Sequence, residues 1–212
     1  VQEMADCVYR AFDLADEYRT PVMVLADGML GQMMEPVVLP EHKESLPEKP
    51  WATTGHKGKR AHNIVNSLYL TADALEKLNI ERFERYEVIR EKEQRSEAFM
   101  LDDAEVVVVA FGASSRVARS AVVAAREEGI KAGLLRPITL WPFPTKAIED
   151  ALTHAKTFLS VEMNMGQMVD DVRLAVNGRA AVDFYGRTGG VIPTPEEVLS
   201  AIKDSAKRGG VL

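Results

Sequence analysis

Leu135-Arg-Pro-Ile-Thr-Leu-Trp-Pro-Phe-Pro144, followed by Thr157-Phe-Leu-Ser-Val-Glu-Met-Asn-Met-Gly-Gln167, decides the fold of this chain. A short apolar run, Thr157 to Val161, ends in a carboxylate, an amide and a glycine. An open α/β sheet presents polar groups in this way, at the carboxyl tips of its strands. The run from Glu162 to Gln167 is therefore expected at a ligand-facing or partner-facing edge.

Outward from that stretch, strands and helices alternate. The strands are expected at Glu105–Phe111, Ala132–Leu135, Thr157–Val161 and Ala181–Tyr185. Between the first two, Val117, Ala121, Val122 and Ala125 form a buried helical stripe that Gly129 stops. Such alternation predicts a three-layer α/β domain with a largely parallel sheet over residues 102–212.

The N-terminal part is organised differently. Met4, Val8, Phe12 and Ala15 share one helical face within residues 1–18, and Val22–Ala26 has the length and apolarity of a strand covered on both sides. A helix and strand at the very start have no earlier strand to pair with. The rest of that sheet is expected upstream of Val1 or on a partner. Residues 36–50 hold four prolines among charged residues, where regular structure is not expected. Trp51 is expected to anchor the excursion that follows. From Thr71 to about Met100 the chain is charged and free of Gly and Pro, with Glu81/Arg85 and Glu91/Arg95 in the favourable i,i+4 order. That pattern predicts a long solvated helix within a connector at 66–101, after a first domain at 1–65.

Composition narrows the chemistry. A net charge of -6 offers no basic field for phosphates, so nucleic acid is not an expected partner. The longest apolar runs are strand-sized, so no membrane span is expected, and a reducing cytoplasm fits the single cysteine, Cys7. One thiol cannot hold an iron–sulfur cluster. The four histidines, His42, His56, His62 and His154, fall in no metal spacing.

Several residues are candidates for a site, each with a plainer alternative. Ser114 or Ser115, after Phe111-Gly-Ala, is expected to cap a helix, or else to hold an anion at its N-terminus. Arg136 either grips an anionic ligand or pairs with an acid across an interface. Trp141 heads a rigid apolar element suited to docking. Glu162, Asn164 and Gln167 contact a ligand or neighbouring subunit, with Asn164 as a helix N-cap as the alternative. Arg187, in the Gly186–Gly190 turn, belongs to the same edge. Asp27-Gly28-Met29-Leu-Gly31-Gln32 forms a methionine-rich, glycine-hinged loop, which is a conformable cofactor wall or core filler. No complete catalytic constellation is present.

Five motifs in order carry a resemblance: Tyr18–Gly28, Gly31–Pro36, Trp51–Gly55, Leu135–Pro144 and Val161–Gln167. Together they resemble the alpha subunit of 2-oxoacid:ferredoxin oxidoreductases, and most nearly the 3-methyl-2-oxobutanoate (2-oxoisovalerate) type. The resemblance implies oxidative decarboxylation of a 2-oxoacid to an acyl-CoA with reduction of ferredoxin. It implies thiamine diphosphate and Mg²⁺ shared with a partner subunit, coenzyme A, and iron–sulfur clusters on partner subunits only. It further implies beta, gamma and ferredoxin-like delta subunits as partners, and self-association. On this resemblance, residues 1–65 are the closing part of a pyrimidine-type thiamine-binding α/β domain, and 102–212 are a transketolase C-terminal-like α/β domain.

Asp27, Gly28, Met29, Gly31 and Gln32 would lie near the thiamine edge, while Glu162, Asn164 and Gln167 would hold the second domain against its neighbours. The family's aminopyrimidine-contacting glutamate and its substrate-carboxylate contacts have no counterpart here, so the chain alone is expected to be inactive. The beta-type component of a 2-oxoacid dehydrogenase, or a transketolase relative, would share the second domain. A stand-alone α/β module with an anion site at Gly112–Ser115 is the non-enzymatic alternative.

Overall fold

The computed structural model describes residues 1–46 and 48–212, and the chain forms two compact units, Val1–Val88 and Ile89–Leu212. The first unit holds the helices α1 (Gln2–Tyr18) and α2 (Gly28–Gln32) and most of α3 (Ala72–Lys92). The second holds the strands β1 (Ser96–Phe99), β2 (Val106–Val109), β3 (Ala132–Pro137), β4 (Thr157–Glu162) and β5 (Ala181–Gly186). It also holds the helices α4 (Gly112–Glu127), α5 (Thr145–Ala151), α6 (Met168–Val176) and α7 (Pro195–Arg208).

In the first unit, the proline-rich segment is laid along α1 by polar contacts that advance along both. The Val1 amino group meets Glu35 at 3.1 Å, and the Gln2 side-chain amide brackets the Val38 peptide group at 2.7 and 2.9 Å. The Tyr9 hydroxyl donates to the Glu41 carbonyl, Lys43 pairs with Asp13, and Lys49 pairs with Asp16. Arg19 ends α1 in the left-handed conformation, and its guanidinium lies 5.0 Å from the Trp51 ring centroid. That contact anchors the Trp51 excursion, which Arg60 closes by donating to the Ala52 and Gly55 carbonyls.

Val22–Ala26 pairs with no strand among the described residues, and Met23 and Leu25 are 80% and 65% exposed; the strands expected to pair with it are those placed outside this chain. One expectation fails locally. The helix expected to run to about Met100 stops at Lys92, because Ser96–Phe99 joins the sheet as an antiparallel edge strand on β3.

The sheet order of the second unit is β1-β3-β2-β4-β5, with β2 to β5 mutually parallel. All four β2 residues are valines, buried on alternating faces. Val106 and Val108 pack with Ala121, Val122, Val198 and Ile202 of α4 and α7, whereas Val107 and Val109 pack with Ile148, Phe158, Val172 and Val176 on the α5/α6 side. Each such fully buried side chain favours folding by about 1.5–3 kcal/mol. This doubly covered sheet accounts for the continuous apolar run, which a half-exposed strand would have broken with polar residues. Gly129, with φ +85°, follows the end of α4 as the sequence requires. Thr194 and Glu197 form a capping box on α7, with Pro195 at its first position.

Candidate functional site

Because β2, β3, β4 and β5 run parallel, the loops after all four emerge at one edge of the sheet. That edge gathers Phe111–Gly112, Ile138–Pro144, Met163–Gln167 and Arg187–Pro193. The strand order changes direction at β2, whose two parallel neighbours are β3 and β4, and crevices at such switch points are the usual ligand sites of open α/β sheets.

Glu162 is the organising residue of the edge. It is the last residue of β4 and only 1% exposed, and its hydrogen bonds come from neutral groups. Its Oε1 accepts from Ser160 Oγ at 3.0 Å and from the Val169 N–H at 2.9 Å. Its Oε2 accepts from Asn164 Nδ2 at 3.1 Å and from the N–H groups of Gln167 and Met168 at 3.1 and 2.9 Å. A buried carboxylate is costly unless its lone pairs are filled. Here the unsatisfied donors of the first turn of α6 fill them, and the helix dipole adds to the attraction.

Asn164 is not the helix N-cap; that position belongs to Gln167, whose side chain makes no capping bond. Asn164 instead closes a tight turn, its Oδ1 accepting the Gly166 N–H at 2.7 Å. Gly166 takes φ +104°, which an L side chain rarely adopts. The loop is thus fixed from within, while Met165 at its tip is 80% exposed. Burial, assisted by Asp170 and Glu162 nearby, pushes the Asp171 carboxyl above the usual carboxylate range.

Arg187 continues this network. Its backbone N–H donates to the Glu162 carbonyl at 3.1 Å, and its Nη2 donates to Glu197 Oε1 at 2.6 Å. Glu197 thereby serves both the α7 cap and the end of β5. Tyr185 beside it is raised in pKa by burial and by the Glu197 carboxylate.

At the other end of the edge, Arg136 sits directly opposite Glu97 in the β1–β3 register and donates to its Oε2 from Nε at 2.9 Å. Glu97 Oε1 pairs with Arg119 of α4, whose guanidinium stacks 4.2 Å from the Phe99 ring centroid. Beyond β3, Pro142 and Pro144 are buried and Phe143 packs on the core, leaving Trp141 as the outward member at 53% exposed. Trp141, Met165, Val191 and Ile192 are the exposed large apolar side chains of the loops at this edge.

The N-cap expected of Ser114 or Ser115 is not observed. Phe111 is the N-cap of α4, both serines are buried, and Ser115 Oγ donates to the Gly112 carbonyl. In the first unit, Asp27 caps α2 by accepting the Leu30 N–H at 2.7 Å. Gly28 and Gly31 are open, with nothing within 4 Å of where a β-carbon would stand. Gln32 is exposed and Met29 half-buried.

The structure therefore brings Glu162, Asn164, Gln167 and Arg187 into one network. It places Arg136 and Trp141 farther along the same edge, and Asp27–Gln32 in the other unit. Ser160, Glu97, Arg119 and Glu197 complete these clusters and were not singled out by the sequence reading. Only Glu197 carried a local signal, through its capping-box spacing from Thr194.

Comparison with known proteins adds two family matches. Residues 1–98 match the model described as "Pyruvate flavodoxin/ferredoxin oxidoreductase, thiamine diP-bdg", and residues 104–198 match "Pyruvate:ferredoxin oxidoreductase core domain II". The chain is 46% and 48% identical to the ketoisovalerate oxidoreductase subunits VorB of Methanothermobacter marburgensis and Methanothermobacter thermautotrophicus, over 97% of its own length in each case. It is 32% identical to the 2-oxoglutarate synthase subunit KorA of the latter organism, over 95% of its length. It spans 58% of the length of each VorB relative and 61% of KorA. Among solved structures, a 2-oxoglutarate:ferredoxin oxidoreductase from Magnetococcus marinus, with 2-oxoglutarate, coenzyme A and succinyl-CoA bound, superposes with a TM-score of 0.68 at 19% identity. The match covers 91% of this chain and 38% of that one, and it establishes the shared fold.

Proposed function

This chain belongs to the 2-oxoacid:ferredoxin oxidoreductase family, and from that premise we propose that it works as part of the alpha subunit of a branched-chain 2-oxoacid enzyme. The observation that carries the reading is the VorB similarity along nearly the whole chain, well above that to KorA. The reaction breaks the bond between the carboxylate and the keto carbon of 3-methyl-2-oxobutanoate and releases carbon dioxide. The acyl carbon joins the sulfur of coenzyme A, the thiol gives up its proton, and the electron pair passes to ferredoxin. We place its work in the cytoplasm; no described helix is long and apolar enough to cross a membrane.

Thiamine diphosphate, when bound, supplies the electron sink for decarboxylation. The residues of this chain that fit it are Asp27 to Gln32. Asp27 fixes the turn, Gly28 and Gly31 leave open space beside it, and Met29 with Gln32 supplies a polarizable wall and an amide suited to a flat pyrimidine ring. Lys and Arg are absent from residues 27–34, and the described residues hold no cluster of three or more His, Cys, Asp or Glu able to bind a metal. That donor set does not fit Mg²⁺ and the diphosphate, which we assign to a partner subunit. One cysteine likewise does not fit an iron–sulfur cluster, and we assign the clusters to partner subunits, the partners being beta, gamma and ferredoxin-like delta subunits.

In this assembly the carboxyl edge of the second unit is a docking face. Glu162, Asn164 and Gln167 hold its central loop in shape, Arg136 and Arg187 are pinned beside it, and Trp141 and Met165 are presented outward. Rigid, outward apolar side chains on a polar rim suit association with a neighbouring subunit or a second copy.

The test is reduction of methyl viologen with coenzyme A and thiamine diphosphate, by the chain alone and after co-expression with candidate partner subunits. We expect no turnover alone. In the complex, 3-methyl-2-oxobutanoate should be preferred over pyruvate and 2-oxoglutarate. Turnover by the lone chain would sink the assembly reading, and a preference for 2-oxoglutarate would sink the substrate assignment.

A further inference from the structure

Two helices begin at the carboxyl edge from adjacent strands, α4 after β2 and α6 after β4, and they pack on opposite faces of the sheet. The crevice of the switch point lies between their N-termini. Those two N-termini differ. The first turn of α6 is filled from within the chain: the Glu162 carboxylate accepts the N–H groups of Gln167, Met168 and Val169, and the Ser160 hydroxyl also donates to it. No side chain caps the first turn of α4. Its N-cap is Phe111, which has no polar side-chain atom, and the exposed Gly112, with φ +57°, puts no side chain over the turn.

A second observation marks the same place. Ser114 is 4% exposed, and its hydroxyl makes no hydrogen bond among the described residues, whereas the Ser115 hydroxyl beside it donates to the Gly112 carbonyl. Side chains of a helix tilt toward its N-terminus, so from the third position of α4 Ser114 is aimed back over the open turn. A buried hydroxyl without a partner is unfavourable, and beside unfilled N–H groups it calls for an anionic acceptor.

The chain itself shows what such a donor set takes. At α6, one serine hydroxyl and the first-turn N–H groups hold a carboxylate. We infer that the N-terminus of α4, with Ser114, binds a carboxylate supplied from outside the chain. The helix dipole favours its charge, and Glu162 is engaged by α6 on the other face of the sheet. The carboxylate comes from a small molecule or from an Asp or Glu of a docking polypeptide, with the same chemistry at α4. The inference needs only the sheet and its helices, so it stands if the substrate assignment fails.

Amide NMR of the isotope-labelled full chain, titrated with sodium acetate against sodium chloride at equal ionic strength, tests this. Acetate should move the Ala113, Ser114 and Ser115 resonances saturably, and chloride should not. Ser114→Ala should weaken acetate binding about tenfold, through loss of a hydrogen bond to a charged group. Ser114→Asp sets a carboxylate on the turn from within, as Glu162 does at α6, and should abolish the response. Circular dichroism confirms that the variants fold, and Ser114→Ala, which only removes an oxygen, carries the test if the aspartate variant does not. A blocked Gly-Glu-Gly peptide that binds more tightly than acetate, with Gly-Gln-Gly silent, assigns the carboxylate to a docking polypeptide. Acetate binding at least as tightly as the peptide assigns it to a small molecule. An equal response to chloride, shifts elsewhere with none at 113–115, or unchanged acetate binding in Ser114→Ala each overturn the proposal.

Discussion

Gly186 and Asn164 approach so closely that a β-carbon on Gly186 would lie 2.4 Å from the Asn164 carbonyl oxygen, and 2.4 Å from the Phe184 ring. The contact joins the end of β5 to the loop after β4. A methyl group there must push backbone as well as ring, so Gly186→Ala should destabilise the fold by about 2 kcal/mol or more. Urea unfolding of the full chain measures it, and a change below about 0.5 kcal/mol would show that the loop yields freely.

Removing the Glu162 carboxylate leaves three backbone N–H groups, the Ser160 hydroxyl and the Asn164 amide without their acceptor. Glu162→Ala should cost about 3–5 kcal/mol, because the buried N–H groups of Met168 and Val169 and the Ser160 hydroxyl lose their acceptor. Glu162→Gln keeps one acceptor oxygen but turns an NH₂ toward N–H donors, so it should fall between alanine and wild type. Thermal unfolding ranks the three, and hydrogen exchange at Gln167–Val169 localises the loss.

Glu97 is held by Arg136 from the facing strand and by Arg119 from α4, and so fastens the edge strand β1. Its side chain is 39% exposed, so solvent screening limits the contribution: Glu97→Gln should cost about 1 kcal/mol, less in high salt. Faster exchange confined to β1 is the expected signature. Loss of protection across β2 as well would show that the clasp supports the whole sheet.

The raised pKa of Asp171 sets a pH dependence of definite sign. With the folded value above the ordinary 3.8, this group favours the folded state most below 3.8, and the contribution is lost as pH rises through the folded value. Asp171→Asn should therefore be more stable than wild type at neutral pH, and the gap should close toward acid. Glu105 acts oppositely, because its hydrogen bond to Lys156 lowers its pKa; its contribution is present above the ordinary 4.5 and lost as pH falls. Denaturant midpoints across pH for the wild type, Asp171→Asn and Glu105→Gln separate the two. A gap for Asp171→Asn that widens toward acid would refute the assignment.

The capping box of α7 gives a smaller, cleaner effect. Thr194→Ala removes the acceptor of the Glu197 N–H and should cost about 1 kcal/mol, whereas Thr194→Ser should cost little. Equal losses in the two variants would assign the effect to the threonine methyl group instead.

The sheet of the second unit was legible because its strands are buried on both faces and separated by helices of matching period. Val106–Val109 and Thr157–Glu162 needed no knowledge of their neighbours to stand out. Ser96–Phe99 was not legible: four mixed residues after a charged helix become a strand only through the β3 ladder. Val22–Ala26 has strand composition, and no ladder for it is present among the described residues. At the edge, Glu162 was singled out, but its task was not, since it caps a helix from the preceding strand across six and seven residues rather than from the helix's own N-cap position. Arg136 was expected to grip an anionic ligand or an acid across an interface; its partner within the sheet, Glu97, became visible only when antiparallel pairing set them face to face.

One side chain grips the chain on both sides of the Met163–Gln167 link, through Ser160 on the incoming strand and Met168 and Val169 on the outgoing helix. A clamp of that span tolerates no extra residue and no missing one. Drift should thus change the identity of the tip, where Met165 is 80% exposed, while the number of positions between strand and helix stays constant. Different partners could be accommodated by re-lettering a single site, without altering the frame that displays it.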